Sequence, residues 1–240
     1  MHKQALTAEE FKNGQILLFD KPLNWTSFQL VNKVRWMIRK SCDIKKIKVG
    51  HAGTLDPLAT GLLIICTGKF TKRIPELQGQ IKEYTGTFNL GATTPSYDLE
   101  TAIDQTFPID HISKEHIAET TKSFIGEIEQ FPPVFSALKK DGKRLYEYAR
   151  KGEEVDIKSR TIRIDEFETD ASAFPDIKFR VVCSKGTYIR SLAHDFGKKL
   201  NSGAHLSALR RTKIGDFNVE NGLLLEEFEK LLPSRENTTP

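Results

Sequence analysis

The 240 residues carry 38% hydrophobic and 28% charged side chains, with 16 Gly and 10 Pro, which excludes a collagen, a low-complexity chain and wholesale disorder. The 36 basic and 32 acidic residues leave a net charge of only +4, and a chain of this length suffices for one large domain with a sizeable core. Its longest apolar candidate, 62–66 (LLIIC), falls far short of the ~20 residues a membrane span needs. In chain order, residues 15–20 (QILLFD) read as a short buried strand stopped by Pro22. Thr26 or Ser27 can cap a helix running to about Lys40, with Phe28, Val31, Val34 and Ile38 on one face. A Gly-rich loop over 50–61 leads into the apolar run, a central strand. Tyr84, Phe88 and Leu90 share one face of a strand over 82–90. A helix over 113–125 stops at Gly126, and Pro132 and Pro133 open an extended segment. Lys140-Asp141-Gly142 then turns into a short helix ending near Gly152. Ile177, Phe179, Val181 and Cys183 alternate in a strand over 176–184; beyond Gly186, Ile189, Leu192, Phe196 and Leu200 recur at helical spacing up to Gly203. The last 20 residues read as a short amphipathic helix and a polar tail, PSRENTTP, expected to be disordered. Strands and helices intermix, which predicts an α/β (α+β) chain: a mixed, mostly antiparallel sheet with flanking helices. The expected division is one domain over 1–220, then the short helix and tail over 221–240.

Cys42, Cys66 and Cys183 are odd in number and lack CxxC or Cys/His ligand spacing, so they read as buried or incidental thiols in a reducing cytoplasm, with no metal site. The polar N-terminus, with Glu9 and Glu10, reads as neither a secretory signal nor a transit peptide.

The near-neutral charge is sorted along the chain. Residues 33–48 hold seven basic and one acidic residue, 139–151 six and two, and 185–213 seven and one. Together these 58 positions carry 20 basic and 4 acidic residues, a net of +16; the other 182 carry 16 and 28, a net of −12. Any one such segment can be a solvated helix face. Three of them on an otherwise acidic chain are the footprint of a phosphate-backbone binder. Trp36, Tyr146, Tyr148 and Tyr188 lie within them, as a protein that stacks exposed bases requires.

Chemistry concentrates in 50–61, GHAGTLDPLATG. Its glycines let the backbone turn tightly, and Pro57 holds Asp56 out of the helical region. Taken alone this is an ordinary turn aspartate. The chain has no GxxxxGK[ST], no GxGxxG after a strand, no HExxH and no nucleophile elbow, so the expected chemistry runs without a nucleotide, metal or redox cofactor.

Five ordered blocks over 14–217 carry a resemblance. GHAGTLDPLATGLLIICTGKFTK (50–72) resembles the active-site motif of the TruB-type tRNA pseudouridine-55 synthases. LLFDKPLNWTSF (17–28), KEYTGTFNLGATTPSYDLE (82–100), FPPVFSALKKDGKRLYEYARKG (131–152) and CSKGTYIRSLAHDFGKKLNSGAHLSALRRT (183–212) resemble that family's other blocks. The resemblance implies the pseudouridine synthase fold with a central cleft. It also implies isomerisation of a T-loop uridine of tRNA to pseudouridine after the base is flipped out, with no cofactor. Asp56 matches the catalytic carboxylate, which can attack C1′ or C6 or take a sugar proton. Tyr84 matches the tyrosine stacking on the uracil, and Tyr188 and Arg190 match a Tyr-x-Arg whose arginine pairs with the aspartate. Leu209 matches an apolar contact to the base, and His51 the histidine beside the space the base vacates. Lys21 and Lys72 match lysines of the first two blocks. Asn24 stands where the family has Gly, and Asn tolerates a left-handed backbone. Nothing after residue 217 is long enough for the PUA-type domain that many members carry. The implied partner is the T arm of tRNA, with no membrane and no guide RNA, and the chain is expected to be a cytoplasmic monomer. A non-catalytic tRNA-binding factor, a base-removing glycosylase and a guide-dependent relative are the rival readings.

Overall fold

Thr26 starts the first long helix by a capping box: its hydroxyl accepts the Gln29 N–H at 3.0 Å, and the Gln29 side-chain oxygen accepts the Thr26 N–H at 2.8 Å. Two residues earlier Asn24 takes φ 65°, the left-handed backbone that asparagine tolerates. A computed structural model describes residues 5–136, 138–140, 142–149, 151–153 and 155–233. The chain divides into two units, one reaching to Lys82 and resuming at Arg210, the other Glu83–Leu209.

In the first unit, helix α1 (Ala8–Asn13), strand β1 (Ile16–Lys21), helix α2 (Ser27–Ser41), strand β2 (Val49–His51) and strand β3 (Ala59–Thr67) follow in order. β3 pairs antiparallel with β1, Ile16 opposite Cys66 through Lys21 opposite Gly61, and with β2, His51 opposite Ile65. Its apolar run is continuous because both faces are covered. Leu63 and Ile65 pack with Leu17, Phe19, Val34 and Ile38, while Leu62, Ile64 and Cys66 pack with Ala52, Leu77 and Ile214. α2 buries Leu30, Val31, Val34, Met37 and Ile38. Phe28, expected on that face, is 67% exposed; at 100° per residue it lies about 120° from the stripe's centre.

The second unit is built from strand β4 (Lys82–Leu90), helix α3 (Lys114–Lys122), strands β5 (Gly126–Gln130), β6 (Arg160–Ala173) and β7 (Asp176–Cys183), helix α4 (Ile189–Lys199) and the first part of strand β8 (Ala204–Ile214). Its strand order is β8–β4–β7–β6–β5. Phe88 stacks on Phe179 with ring centroids 4.2 Å apart, and Phe124, Phe167 and Phe196 close around them. Gly86 lies where β4 and β8 approach most closely: a Cβ there would stand 2.2 Å from the Ala208 carbonyl oxygen. Helix α5 (Leu225–Lys230) belongs to the first unit.

The strands whose register is defined pair antiparallel, and the two isolated bridges, Phe19–Leu223 and Asp98–Leu206, are parallel. The sheet is therefore mixed and mostly antiparallel with flanking helices, as the sequence predicts. The helix expected over 113–125 is shorter, Lys114–Lys122, capped by Ser113. Asp141 of the expected turn, Arg150 of the basic segment 139–151 and residues 234–240 of the tail lie outside the described residues. Among the described residues the three cysteines are free, and no helix is long and apolar enough to cross a membrane.

Candidate active site

Asp56 sits half-buried in the loop between β2 and β3, and that loop is braced from three directions. The Ser27 hydroxyl accepts the Leu55 N–H at 2.8 Å and donates to the Leu55 carbonyl at 3.1 Å, so the first turn of α2 fixes the residue before Asp56. Arg211, 1% exposed, donates to the carbonyls of Leu62 at 2.8 Å, Gly53 at 3.0 Å and Thr54 at 3.4 Å. Lys21, expected to touch substrate, is fully buried instead. Its ammonium donates to the carbonyls of Trp25 at 2.6 Å, Pro22 at 2.9 Å and Pro57 at 3.5 Å. Burial pushes its pKa down to about 8; the Arg211 charge adds to that shift, and the carboxylates of Asp56 and Asp20 oppose it. Asp20 in turn takes a two-pronged contact from Arg210, at 2.6 and 3.0 Å.

His51 ends β2, half-buried, with no hydrogen-bond partner for its Nδ1. Burial lowers its pKa, a Gly53 backbone group opposes the shift, and the charge of Arg211 adds to it; its neutral form is favoured. The first unit thus gathers Asp56, Lys21 and His51 around one loop. Lys72, exposed on the 3-10 helix Gly68–Arg73, lies past the opposite end of β3.

The second unit carries the other candidates. Arg190 is 4% exposed in the first turn of α4, where the helix dipole disfavours a cation. Asp98, equally buried, offsets that cost: its Oδ2 stands 3.6 Å from Arg190 Nε, and Arg190 Nη1 donates to the Ser96 carbonyl at 3.1 Å. Asp98 is itself held by the Glu100 N–H at 3.0 Å, while Thr94 and Ser96 donate to its carbonyl. Tyr188 is the N-cap residue of α4; its N–H and C=O are both taken by the Gln130 amide, at 2.8 and 3.1 Å, and the Arg160 guanidinium lies 5.1 Å from its ring centroid. Tyr84 is buried on β4, and Leu209 is half-buried on the neighbouring strand β8. Of the aromatics in the basic segments, Trp36 is 51% exposed beneath Lys33 and Lys40, at 4.6 and 4.8 Å.

From the sequence Ser27 is only a candidate helix cap, and nothing marks Asp98 or Arg211. All three lie inside the blocks that carry the family resemblance, at WTSF, YDLE and LRRT. Their partners are set by tertiary contacts that no local spacing reveals.

The fold belongs to a known class. It aligns with the protein chain in a crystal structure of a Cbf5-Nop10-Gar1 complex with a TM-score of 0.67 and 28% identity, covering 92% of this chain and 60% of that one. It aligns with an H/ACA RNP bound to a substrate RNA containing 2′-deoxyuridine at 0.65 and 26%, covering 94% and 60%. Residues 39–189 match the family model described as TruB family pseudouridylate synthase (N terminal domain), and 190–239 match the tRNA pseudouridylate synthase B C-terminal domain. The chain belongs to the TruB family. The second match carries the resemblance past residue 217, to 239. A relative from Flavobacterium johnsoniae named tRNA pseudouridine synthase B is 65% identical over 228 residues, 95% of this chain and 100% of its own. One of the same name from Phocaeicola vulgatus is 60% identical over 226 residues, 94% and 96% of the two chains.

Proposed function

We propose that this enzyme isomerises uridine 55 in the T loop of tRNA to pseudouridine, with Asp56 as the catalytic carboxylate and the target base turned out of the loop into the site. The N1–C1′ bond breaks, the uracil turns, and a C5–C1′ bond forms; C5 gives up its proton and N1 ends protonated, so no atom is gained or lost. An ionised oxygen held at a fixed point can attack C1′ or C6, or take a sugar proton, and then leave again. The observation that carries the reading is the bracing of the Asp56 loop by Ser27, Arg211 and Lys21. An ordinary turn aspartate needs no buried guanidinium behind it, whereas a reacting group gains from being held.

In this reading Tyr84 stacks on the uracil, Leu209 contacts it, His51 lies beside the space it vacates, and Tyr188 and Arg190 complete the site. Lys21 acts as a positioning residue, because its ammonium is committed to main-chain carbonyls. The enzyme works as a cytoplasmic monomer, without cofactor or guide RNA. The relatives bearing the synthase name support the reaction, since they match this chain over nearly their whole length.

The test is incubation with an unmodified tRNA transcript, followed by mapping of pseudouridine. Asp56→Asn keeps shape and removes the charge. It is expected to melt within 2 °C of wild type and bind tRNA within about threefold while losing turnover. Turnover within tenfold of wild type would overturn the assignment. Free uracil among the products would favour a glycosylase, and tight binding without any product a folding factor.

A further inference from the structure

At the end of β3 remote from the Asp56 loop, a concavity of about 400 Å³ opens on the surface of the first unit. Five of its lining residues are lysines drawn from three separate segments: Lys12 of α1, Lys46 and Lys48 before β2, and Lys69 and Lys72 of the 3-10 helix. All five are exposed, and no carboxylate lines the cavity.

The walls are fixed to one another. The Gly68 N–H donates to the Lys48 carbonyl at 2.9 Å, and the Thr67 hydroxyl donates to the Phe11 carbonyl at 2.9 Å. Gly68, at φ 52°, lies so close to α1 that a Cβ would stand 2.1 Å from the Lys12 carbonyl oxygen. The lysines are therefore held near one another although like charges repel.

The lining also limits what can bind. Thr71 spends its hydroxyl on the Gly68 carbonyl at 2.8 Å, and the Gly68 N–H is committed as above. No aromatic ring lines the cavity to stack a base. Lys69 Nζ donates to the Asn13 side-chain oxygen at 3.0 Å and keeps its remaining donors; what the lining offers is ammonium charge without a fixed fork, which recognises several phosphates of a polyanion rather than one oriented small molecule.

We propose that this lysine pocket binds the phosphodiester backbone of the substrate RNA, away from the reacting nucleotide. The inference rests on the proposed RNA-modifying function and extends it to a second point of contact. The eight steps of β3 from Ala59 to Thr67, at roughly 3.3 Å each, put the pocket about 26 Å from the Asp56 loop. That spans several base-pair steps of an RNA duplex, so the phosphates it takes belong to a helical stem.

The experiment measures the Kd for unmodified tRNA transcript over a series of salt concentrations. The proteins are wild type, the triple variant Lys12→Gln/Lys46→Gln/Lys69→Gln, and the matching triple Arg variant. Gln at the three sites is expected to raise Kd about tenfold at low salt and to flatten the slope of log Kd against log salt by about 2 to 3. Arg is expected to restore both, since phosphate accepts either cation. A Gln variant with wild-type Kd and slope overturns the proposal, as does an Arg variant as weak as the Gln variant. Inorganic pyrophosphate is titrated in parallel at constant ionic strength. Displacement of tRNA from wild type but not from the Gln variant would assign the pocket to a small free anion instead. Pseudouridine formation by wild type is scored separately: its absence defeats the proposed function and leaves the binding result standing.

Discussion

Arg211 spends its donors on three main-chain carbonyls, two of them in the Asp56 loop. A guanidinium suits this because its donors diverge in one rigid plane; an ammonium is a single point that cannot reach all three. Arg211→Lys keeps the charge and loses the fork. It is expected to lower kcat about 100-fold, the loss that follows from misplacing a reacting group by about 1 Å, while Kd for tRNA stays within threefold. Single-turnover rates at saturating tRNA check this, and a kcat within fivefold of wild type would show that the loop holds itself. Lys21 yields a pH prediction. Its folded pKa, about 8, lies below the usual lysine value of 10.5, so above pH 8 the unfolded chain binds more protons than the folded one and stability rises with pH. Against Lys21→Met, in which the other titrations cancel, wild type should gain about 1–2 kcal/mol of unfolding free energy between pH 7 and 9.5. Denaturant unfolding at the two pH values reads it, and a constant difference would mean that Lys21 titrates normally. The role of Asp56 was legible through the motif around it. Its supports were not, because Ser27 lies 28 residues from Leu55, and Arg211 is 158 residues from Gly53.

At the level of elements, the strands and helices that read clearly are those whose apolar pattern keeps a single phase. β4 and β7 alternate, α2 has one stripe, and the run in β3 is apolar on both faces. β6 is the longest strand, yet it escaped the sequence reading because its pattern changes phase. Ile162 and Ile164 are buried and then Phe167, with a register shift between Ile164 and Glu166, and a bulge there turns the following side chains to the other face. β8 escaped because LRRTK looks like surface, although Arg211 is buried within it. The pairing of β8 with β3 can be tested at Gly61, which has φ 102° and would place a Cβ 2.3 Å from the Arg211 carbonyl oxygen. Gly61→Ala therefore collides with the backbone that carries the clamp, in a conformation an L side chain avoids. It is expected to cost more than about 2 kcal/mol of unfolding free energy and to lower kcat as well. Gly79→Ala is the control: nothing lies within 4 Å of its Cβ and its φ is ordinary, so it should be neutral or stabilise by up to about 1 kcal/mol. Equal effects at the two sites would refute the close approach.

For the whole molecule, charge decides how much of the tRNA matters. The three basic segments carry a net of +16 against −12 elsewhere, and phosphate contacts of this kind position RNA without reading its sequence. The reacting base already sits in a loop, where extruding it costs least, and the short stem beneath the loop supplies phosphates to the residues around the site. A stem shorter than ~26 Å forfeits only the contacts at the lysine pocket, a few charges at its far end. An isolated T-arm stem-loop is therefore expected to be modified with kcat/KM within about tenfold of full-length tRNA, or ~1.4 kcal/mol of lost transition-state binding. The deficit should lie mainly in KM, because the groups at the reacting base are unchanged. A linear strand bearing the same loop sequence should be far poorer, since it must be ordered on binding. The Lys12→Gln/Lys46→Gln/Lys69→Gln enzyme gives the internal check: with three of the five pocket lysines neutralised, it should process full tRNA and the stem-loop at closer kcat/KM values than wild type does. A thousandfold preference for full tRNA would instead mean that contacts outside the T arm dominate binding, and would move the main recognition surface away from the Asp56 loop.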